Sequence, residues 1–527
     1  MAGDTTATTF TAREQRLRSD RSNWDNLWQQ TTIFTLPKEA TYTSTVTPGQ
    51  ERTRALFDST APRSLELFAS FLHTLMNNPA QQWFSIGIEN KTNSKTAIEH
   101  NQWFETTAVT MLNKMVTAKI YEHLHQAFMF LGCVGTACVY VEWFNGLQIR
   151  HFHMQNVVIQ EGENGEVDTV FRQFFLTPRQ ARQRWRERAG VTEKDDKTPD
   201  EKIRFLHVVV PTSDPGLGEM ADTNAPFASL WINTKSGTVV SSGHYEEMPY
   251  MVPRWYQTGD GEVYGRGPAM GVMPSIRMAN RLQETLIRGS EKLADPPLLI
   301  PDGGMLSPVR MFPGGITHTD GQVKVDTLIP PGASRIDLGN VLLERTQTAI
   351  ERGFFVQLFI DPDTSVKTAT QVLQEADERQ RAISPMVMRI QAEMYDPLIR
   401  RVFNVLFRNG QLPDPPPGLT ELTLKIEYIS PLVASQRQVE GLSLLRMYEG
   451  LVPWADVDPG TFDRFDTDEI ALVMHRSSGA PSAVLRTNAE VKKLRQARLE
   501  REQQETQMVQ TTEGADAAAK LISATSK

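Results

Sequence analysis

The segment from Val263 to Pro297, VYGRGPAMGVMPSIRMANRLQETLIRGSEKLADPP, leaves the chain fewer choices than any other stretch. Gly265, Gly267 and Pro268 make a turn that can deliver the chain abruptly into a helix, because proline at the first helical position gives up an amide that no carbonyl would have used. Ile276, Ala279, Leu282 and Leu286 then recur every three or four residues with Arg277, Arg281, Glu284 and Arg288 between them, so one face packs and the others stay hydrated. Pro274 is tolerated in the first turn, and Asp295-Pro296-Pro297 stops the helix. By itself this is a packed amphipathic helix of a larger protein.

Such a helix needs a body to pack on, and 527 residues suffice for about three or four structural units. There is no apolar run of about eighteen residues, so no segment reads as a bilayer span. The start, MAGDTTATTFTAREQ, lacks the basic-then-apolar order of a secretory signal. Cys133 and Cys138 stand in the apolar run LGCVGTACVYVE, which predicts buried thiols in a reducing cytoplasm. The formal net charge of −8 argues against DNA clamping by the whole surface, though not against DNA passing close by.

Periodicity divides the chain into an α+β body. An amphipathic helix is predicted over 11–30, with Leu17, Trp24, Leu27 and Trp28 at helical spacing, then a linker over 40–50 and a helix from Pro62 to Met76. WFSIGI at 83–88 alternates as a strand. One long helix or two fill 101–131, after which Gly132 and Gly135 switch the chain into the strand-like TACVYVEWF. Two strands flank the turn at 161–165. A short, one-sidedly basic helix runs from Pro178 to Arg188, and strand-like runs follow at Ile203–Val210, Ala228–Ile232 and Thr238–Val240. Residues 195–255 therefore read as a small β-rich insert carried between two helices, 177–189 and 268–294.

Past Pro297 come strands and tight turns, a helix over 338–356, the loop FIDPDTSVK at 359–367, and the longest periodic segment, from Thr368 to Arg408. Pro385 and Pro397 each remove an amide donor from it and predict a kinked helix. NGQLPDPPPG ends it, LTLKIEYI is a strand, and 432–449 and 461–476 are helical. The charged segment from 486 onward is a helix too sparsely apolar to stand alone, followed by a disordered tail.

Catalytic signatures are missing: GxxxxGK[ST], HExxH and GxSxG do not occur. His123/His125 and His151/His153 have a metal-capable spacing on a strand, but no partner stands at ligand spacing, and packing histidines are the simpler reading. Asp361, Asp363, Glu375, Asp377 and Glu378 are the residue types of a metal-dependent nuclease, or of an acidic loop and a solvated helix face. GRGP at 265–268 follows no βαβ strand and is a weak phosphate signal. Arginines 179, 182, 184, 186 and 188 form a basic surface that an acidic protein, nucleic acid or water alone would satisfy. No cofactor, metal or enzyme activity is expected.

The order of the pieces says more than any one of them. YGRGP at 264–268 leading into its helix and DPP ending, KTATQVLQEADERQ at 367–380, PMVMRIQAEMYDPLIRRVFNVLFRNGQLPDPP at 385–416, RTNAEVKKLRQAR at 486–498 and the early Trp83-Phe84 occur in one sequence. In that order the chain resembles the head-to-tail connector, or portal, proteins of short-tailed T7-like and related bacteriophages. The resemblance implies an α+β portal fold with wing, stem, clip and helical crown or barrel, assembled as a ring of twelve at one capsid vertex of the virion, after synthesis in the host cytoplasm. It implies an axial channel through which viral double-stranded DNA is packaged by a separate terminase and later ejected. Its partners are terminase, major capsid protein and scaffold, tail adaptors and internal core proteins, with no membrane insertion.

On this resemblance residues 1–176 are the N-terminal wing part, 177–194 the first stem helix, 195–255 the clip and 256–294 the second stem helix region. Residues 295–429 are the wing part with the tunnel loop and kinked helix, 430–485 the crown, and 486–527 the barrel helix and tail. Asp361, Asp363 and Lys367 in the loop, with Arg277, Arg281 and Arg288 on the stem helix, are the DNA-channel candidates, although those arginines serve equally well as intersubunit ion-pair partners. Gln371 stands where the family commonly has Glu, so no charge-dependent role is assigned there. A repeated net negative charge suits a conduit, since DNA must slide past a wall that does not hold its phosphates. The alternatives are a metal-dependent nuclease and a non-portal capsid or tail structural protein.

Overall fold

The computed structural model describes residues 2–45, 47–79, 82–88, 97–191, 195, 198–220, 225–259, 261–294, 298–299, 326–327, 336–358, 383–416 and 424–428, scattered positions between 443 and 474, and a helix over 491–501. The fold is mixed α+β. Helices α1 (Ala2–Asp20), α2 (Ser22–Thr35) and α3 (Thr60–Met76) lead to β1 (Phe84–Ile88), then α4 (Ala97–Thr117) and α5 (Ile120–Val134). Strands β2 (Val139–Trp143), β3 (Leu147–His151), β4 (Val157–Glu161) and β5 (Val167–Leu176) precede α6 (Pro178–Trp185). After it come β6 (Ile203–Pro211), β7 (Phe227–Asn233), β8 (Thr238–Tyr245) and β9 (Tyr250–Met251). The remaining named elements are α7 (Met273–Ala294), β10 (Leu298–Leu299), β11 (Asp326–Thr327), α8 (Ile336–Gly353), α9 (Asp396–Arg408) and β12 (Leu424–Tyr428).

The chain divides into two compact units, the first made of Met1–Thr74 and Thr117–Val402 and the second of Leu75–Val116 and Phe403–Lys527. In the first, β4 to β8 form one antiparallel sheet in sequence order. Strand β6, IRFLHVVVP, is apolar almost throughout because both its faces are covered. Leu206, Val208 and Val210 join Ala7 and Phe10 of α1 in one core, while Ile203 and Phe205 join Ala181 of α6 and Ala189 in another.

This sheet crosses the expected boundary at 195. Residues 195–255 do not form a separable insert: β6 pairs along β5 from Val170↔Val209 to Leu176↔Ile203, so the ladder runs straight across the proposed boundary. Nor is 177–189 one long helix. Helix α6 is eight residues long, capped at Thr177 by a reciprocal capping box with Gln180, and ends where Arg186 takes φ +54°. Its buried side is part of the sheet's core. Periodicity shows that a segment is a helix or strand, but the choice of partner is a long-range contact and leaves no local mark.

The helix expected over 11–30 is two helices, and the first begins well before residue 11. Threonine is a weak helix former, but the hydroxyls of Thr9 and Thr11 bond to carbonyls four residues back, and burial of Ala7 and Phe10 outweighs propensity. The break falls at Arg21, which is 2% exposed. Its guanidinium donates to the carbonyls of Met154, at 2.9 Å, and Val157, and its Nε lies 3.0 Å from Asp25. Leaving the helix there puts a cation against the carbonyls of Met154 and Val157.

The histidine pairs are packing residues. His123 and His125 lie on α5, His151 ends β3 against Phe130, and the His153 ring accepts from the Gln155 amide. Buried His207 has one ring nitrogen 2.6 Å from the Tyr250 hydroxyl and the other 3.0 Å from Ser229. Burial pushes His207 well below the ordinary 6.5 and His151 down to about 3. Both stay neutral in the fold yet take a proton once unfolded, so stability is full above pH 6.5 and falls as pH drops toward the folded values. Each should contribute a loss of about 1 kcal/mol between pH 6 and 5. Urea midpoints across that range should fall, and His151→Phe should flatten the slope. Cys133 and Cys138 are buried free thiols, as expected, and burial raises both to about 12.

In the second unit β1 pairs antiparallel with β12, from Phe84↔Tyr428 to Ile88↔Leu424. The Trp103 indole donates to the Pro413 carbonyl at 3.1 Å, and Lys114 reaches Gln411 at 3.0 Å. The proline-rich 413–416 is thus tied at its first residue by a side chain, since a proline has no amide to donate.

Candidate functional site

Three glycines fix how the organising helix is mounted. Gly135 ends α5 with φ +76°, and a Cβ there would run into the backbone of Gly265, Arg266 and Gly267. A Cβ on Gly267 would lie 2.7 Å from the Leu131 carbonyl and 2.8 Å from that of Gly132. Two backbones therefore cross with no side chain between them, which only glycine permits. The crossing is tied by the Gly265 amide donating to Thr136 Oγ1 at 2.9 Å and the Trp255 amide to the Gly135 carbonyl at 2.9 Å. Gly267 and Pro268 then open a helical turn, Pro268–Gly271, that leads into α7 as the sequence predicted. Carbonyls of α5 cover Gly267, so the GRGP turn presents no phosphate cradle.

Behind the crossing sits Arg254, 2% exposed. Its guanidinium pairs with Glu161, with Glu393 at 2.9 Å and with the Gly165 carbonyl at 3.1 Å, while its amide donates to Glu393 at 2.7 Å. One cation thus joins the β4–β5 hairpin, the lead-in to α7 and the run beginning at 383. Glu393 stands in a π-helical turn, Gln391–Tyr395, which ends two residues before Pro397. Proline at 397 offers no amide to the carbonyl four residues back, and the Asp396 amide bonds instead to Gln391, five back. Pro385 is the third residue of the described helix 383–390. Nothing in the sequence marks Arg254: its position, MVPRWY, has no periodicity, and its partners are remote in the chain.

Helix α7 does have a partner helix, but it is α8. Gly339 lies against Leu286 and Gly353 against Val272, so α8 runs back along α7 as an antiparallel hairpin. Of the expected packing residues, Ile276 and Ala279 are buried, Leu286 meets α8 and Leu282 is half-buried. Between the helices lies 295–335, where β10 and β11 pair antiparallel as Leu298↔Thr327 and Leu299↔Asp326. Arg277, Arg281 and Arg288 are exposed on α7, with Arg277 donating to Gln30 at 2.6 Å and Arg288 pairing with Glu284 at 2.6 Å. Asp361, Asp363 and Lys367 lie outside the described residues, as do Glu375, Asp377 and Glu378. The groove by Leu286, Ile287, Ser290 and Asn340 is an open trough rather than an enclosed substrate pocket.

A helix hairpin held on a mount built of backbone describes a structural part. The sequence pattern of the bacteriophage head to tail connecting proteins matches residues 7–485. The chain belongs to this family. The match takes in both the hairpin and its mount. This connecting protein is 25% identical to the "Probable portal protein" of Bordetella phage BPP-1, over 99% of its own length and 96% of that relative's. To the "Portal protein" of Salmonella phage epsilon15 it is 24% identical, over 93% of its own length and 90% of the relative's. Among the described residues no helix is long and apolar enough to cross a membrane, and no group of His, Cys, Asp and Glu is placed to hold a metal.

Proposed function

We propose that this chain is the portal subunit of a tailed phage: copies close into a ring at one capsid vertex, DNA is packaged and ejected through its axis, and terminase and tail adaptors dock on it in turn. The observation that carries this is the near end-to-end similarity to two proteins named as portals, which spans the hairpin, its insert and its mount. The α7–α8 hairpin supports a different assignment of the parts from the one the sequence suggests. The stem is α7 with α8, and the clip is the insert 295–335, since these are the two helices that pack together and this is the segment they carry between them. The sheet of β4 to β8 belongs to the wing, facing capsid protein and scaffold. On the family resemblance alone, 359–367 with Lys367 is assigned to the channel wall, 430–485 to the crown and 486–527 to the barrel. Motor work falls to the terminase. The nuclease alternative gains no support from any comparison.

Native mass spectrometry of the purified protein should show a species near twelve times 59.3 kDa. Electron cryomicroscopy without imposed symmetry should place the α7–α8 hairpins around an axial hole of DNA width. A monomer at every salt concentration, or hairpins on the outer rim of the particle, would overturn the reading, whereas eleven or thirteen copies would change only the stoichiometry.

A further inference from the structure

Counting about 100° per residue, Arg277, Arg281 and Arg288 fall within about 40° of one another on α7, on the far side from Ile276, Ala279 and Leu286. Asp337, Glu344 and Glu351, spaced by sevens, fall within about 40° on α8, on the far side from Gly339, Thr346 and Ile350. From Arg277 to Arg288 the outer edge of α7 is therefore net basic, with Glu284 on the same stripe, the outer edge of α8 is acidic, and the two edges face away from each other. Arg281, Asp337 and Glu344 are exposed, Glu351 is half-buried, and among the described residues no ion pair within the chain takes any of the four.

The hairpin register decides what could meet these edges. Gly339 is level with Leu286, so five residues further along α8 Glu344 is level with Arg281, and two residues the other way Asp337 is level with Arg288. Glu351 stands level with Pro274, about one turn from Arg277. Rotation about an axis running along the helices leaves each residue at its own height, so charges level within one hairpin are level between neighbouring hairpins. An unrelated partner would have no reason to match this register. Each charged edge is also bordered by an exposed apolar side chain, Val341 beside the acids and Met278 beside the arginines.

We infer that the acidic edge of α8 docks on the basic edge of α7 of a second copy of this chain, head to tail, with Glu344–Arg281 the central ion pair and Asp337–Arg288 and Glu351–Arg277 flanking it. The contact is heterologous, so each copy uses a different edge on either side and the series closes only as a ring. This inference rests on the reading of the chain as a ring-forming subunit, and it takes the three arginines away from the DNA. Arg288 arrives already paired with Glu284, so its neighbour's Asp337 completes a three-member cluster.

The test is a charge swap in full-length protein. Arg281→Glu and Glu344→Arg each place like charges opposite one another at every interface, and each alone should lower the assembled fraction by about tenfold or more at low salt, read by native mass spectrometry. Mixing the two single variants should restore assembly, because alternating copies put Glu344 of one against Arg281 of the other, and the swapped pair in turn. The double variant R281E/E344R should also assemble, and all three should melt with the wild type, since the positions are exposed. Single variants that assemble as well as wild type would overturn the inference and leave the portal reading standing. Rescue by the double variant without rescue by mixing, or a lowered melting temperature in the single variants, would place the pair inside one chain and also overturn it. A wild type that never assembles would overturn both.

Discussion

Replacing Arg254 with alanine is expected to destabilise the first unit by about 3 to 5 kcal/mol, because it removes the shared cation of two partly buried carboxylates and leaves both uncompensated. The side chain is 3% exposed, Glu161 is 17% and Glu393 is 20%, so water can repair only part of the loss. Arg254→Lys should recover a minority of it: an ammonium can sit between two carboxylates but cannot also reach the carbonyls of Gly165 and Val263 from one rigid fork. Urea unfolding at matched protein concentration, followed by circular dichroism, measures both. A loss of less than about 1 kcal/mol for the alanine variant would mean that the three segments are held by their apolar contacts and that the arginine only decorates the junction.

Gly135→Ala is the second large expected effect. Two costs add at this position. A non-glycine residue at φ +76° costs about 1 to 2 kcal/mol, and the new methyl must push apart two backbones that have no side chain to yield, for about 1 to 3 kcal/mol more. Gly237→Ala is the matched control, with φ +67° and open space around its Cβ, so it should show the conformational cost alone. The variant at 135 should unfold at clearly lower urea than the variant at 237, and should fail to assemble, since the mount of α7 is what it disturbs. Equal midpoints would show that α5 and the lead-in to α7 slide apart without penalty, and the crossing would then not be what aims the hairpin.

The chain's elements were largely legible one at a time. Helix α3, strand β1, strands β2 and β4 to β8, helix α7 and the glycine-proline turn before it all lie where periodicity and turn chemistry put them, because those signals are local and each segment must bury its own apolar face, whereas the break between α4 and α5 was left open by periodicity. The disruption near Pro397 was also local, since a missing amide affects its own turn whatever surrounds it. Residue order carried the family resemblance, and with it the functional class.

Which elements pair was decided only by tertiary structure. Residues 177–189 and 268–294 looked like a matched helix pair because both are amphipathic, but burial selects partners through shape and register, and the sheet claimed α6 while α8 claimed α7. The glycines at 135, 265 and 267 could each be read as turn residues, yet the reason they are glycine is one another, across more than a hundred residues of chain. Arg21 and Arg254 carry no pattern at all: a buried arginine is tolerated where carbonyls and carboxylates from distant segments converge, and convergence does not exist in a linear sequence. The charges of the hairpin show both sides at once. Their spacing into stripes is written in the sequence, but that the basic and acidic stripes stand at equal heights on opposite edges follows from the register in which two helices pack, and packing is set by side-chain volumes that meet only in the folded chain.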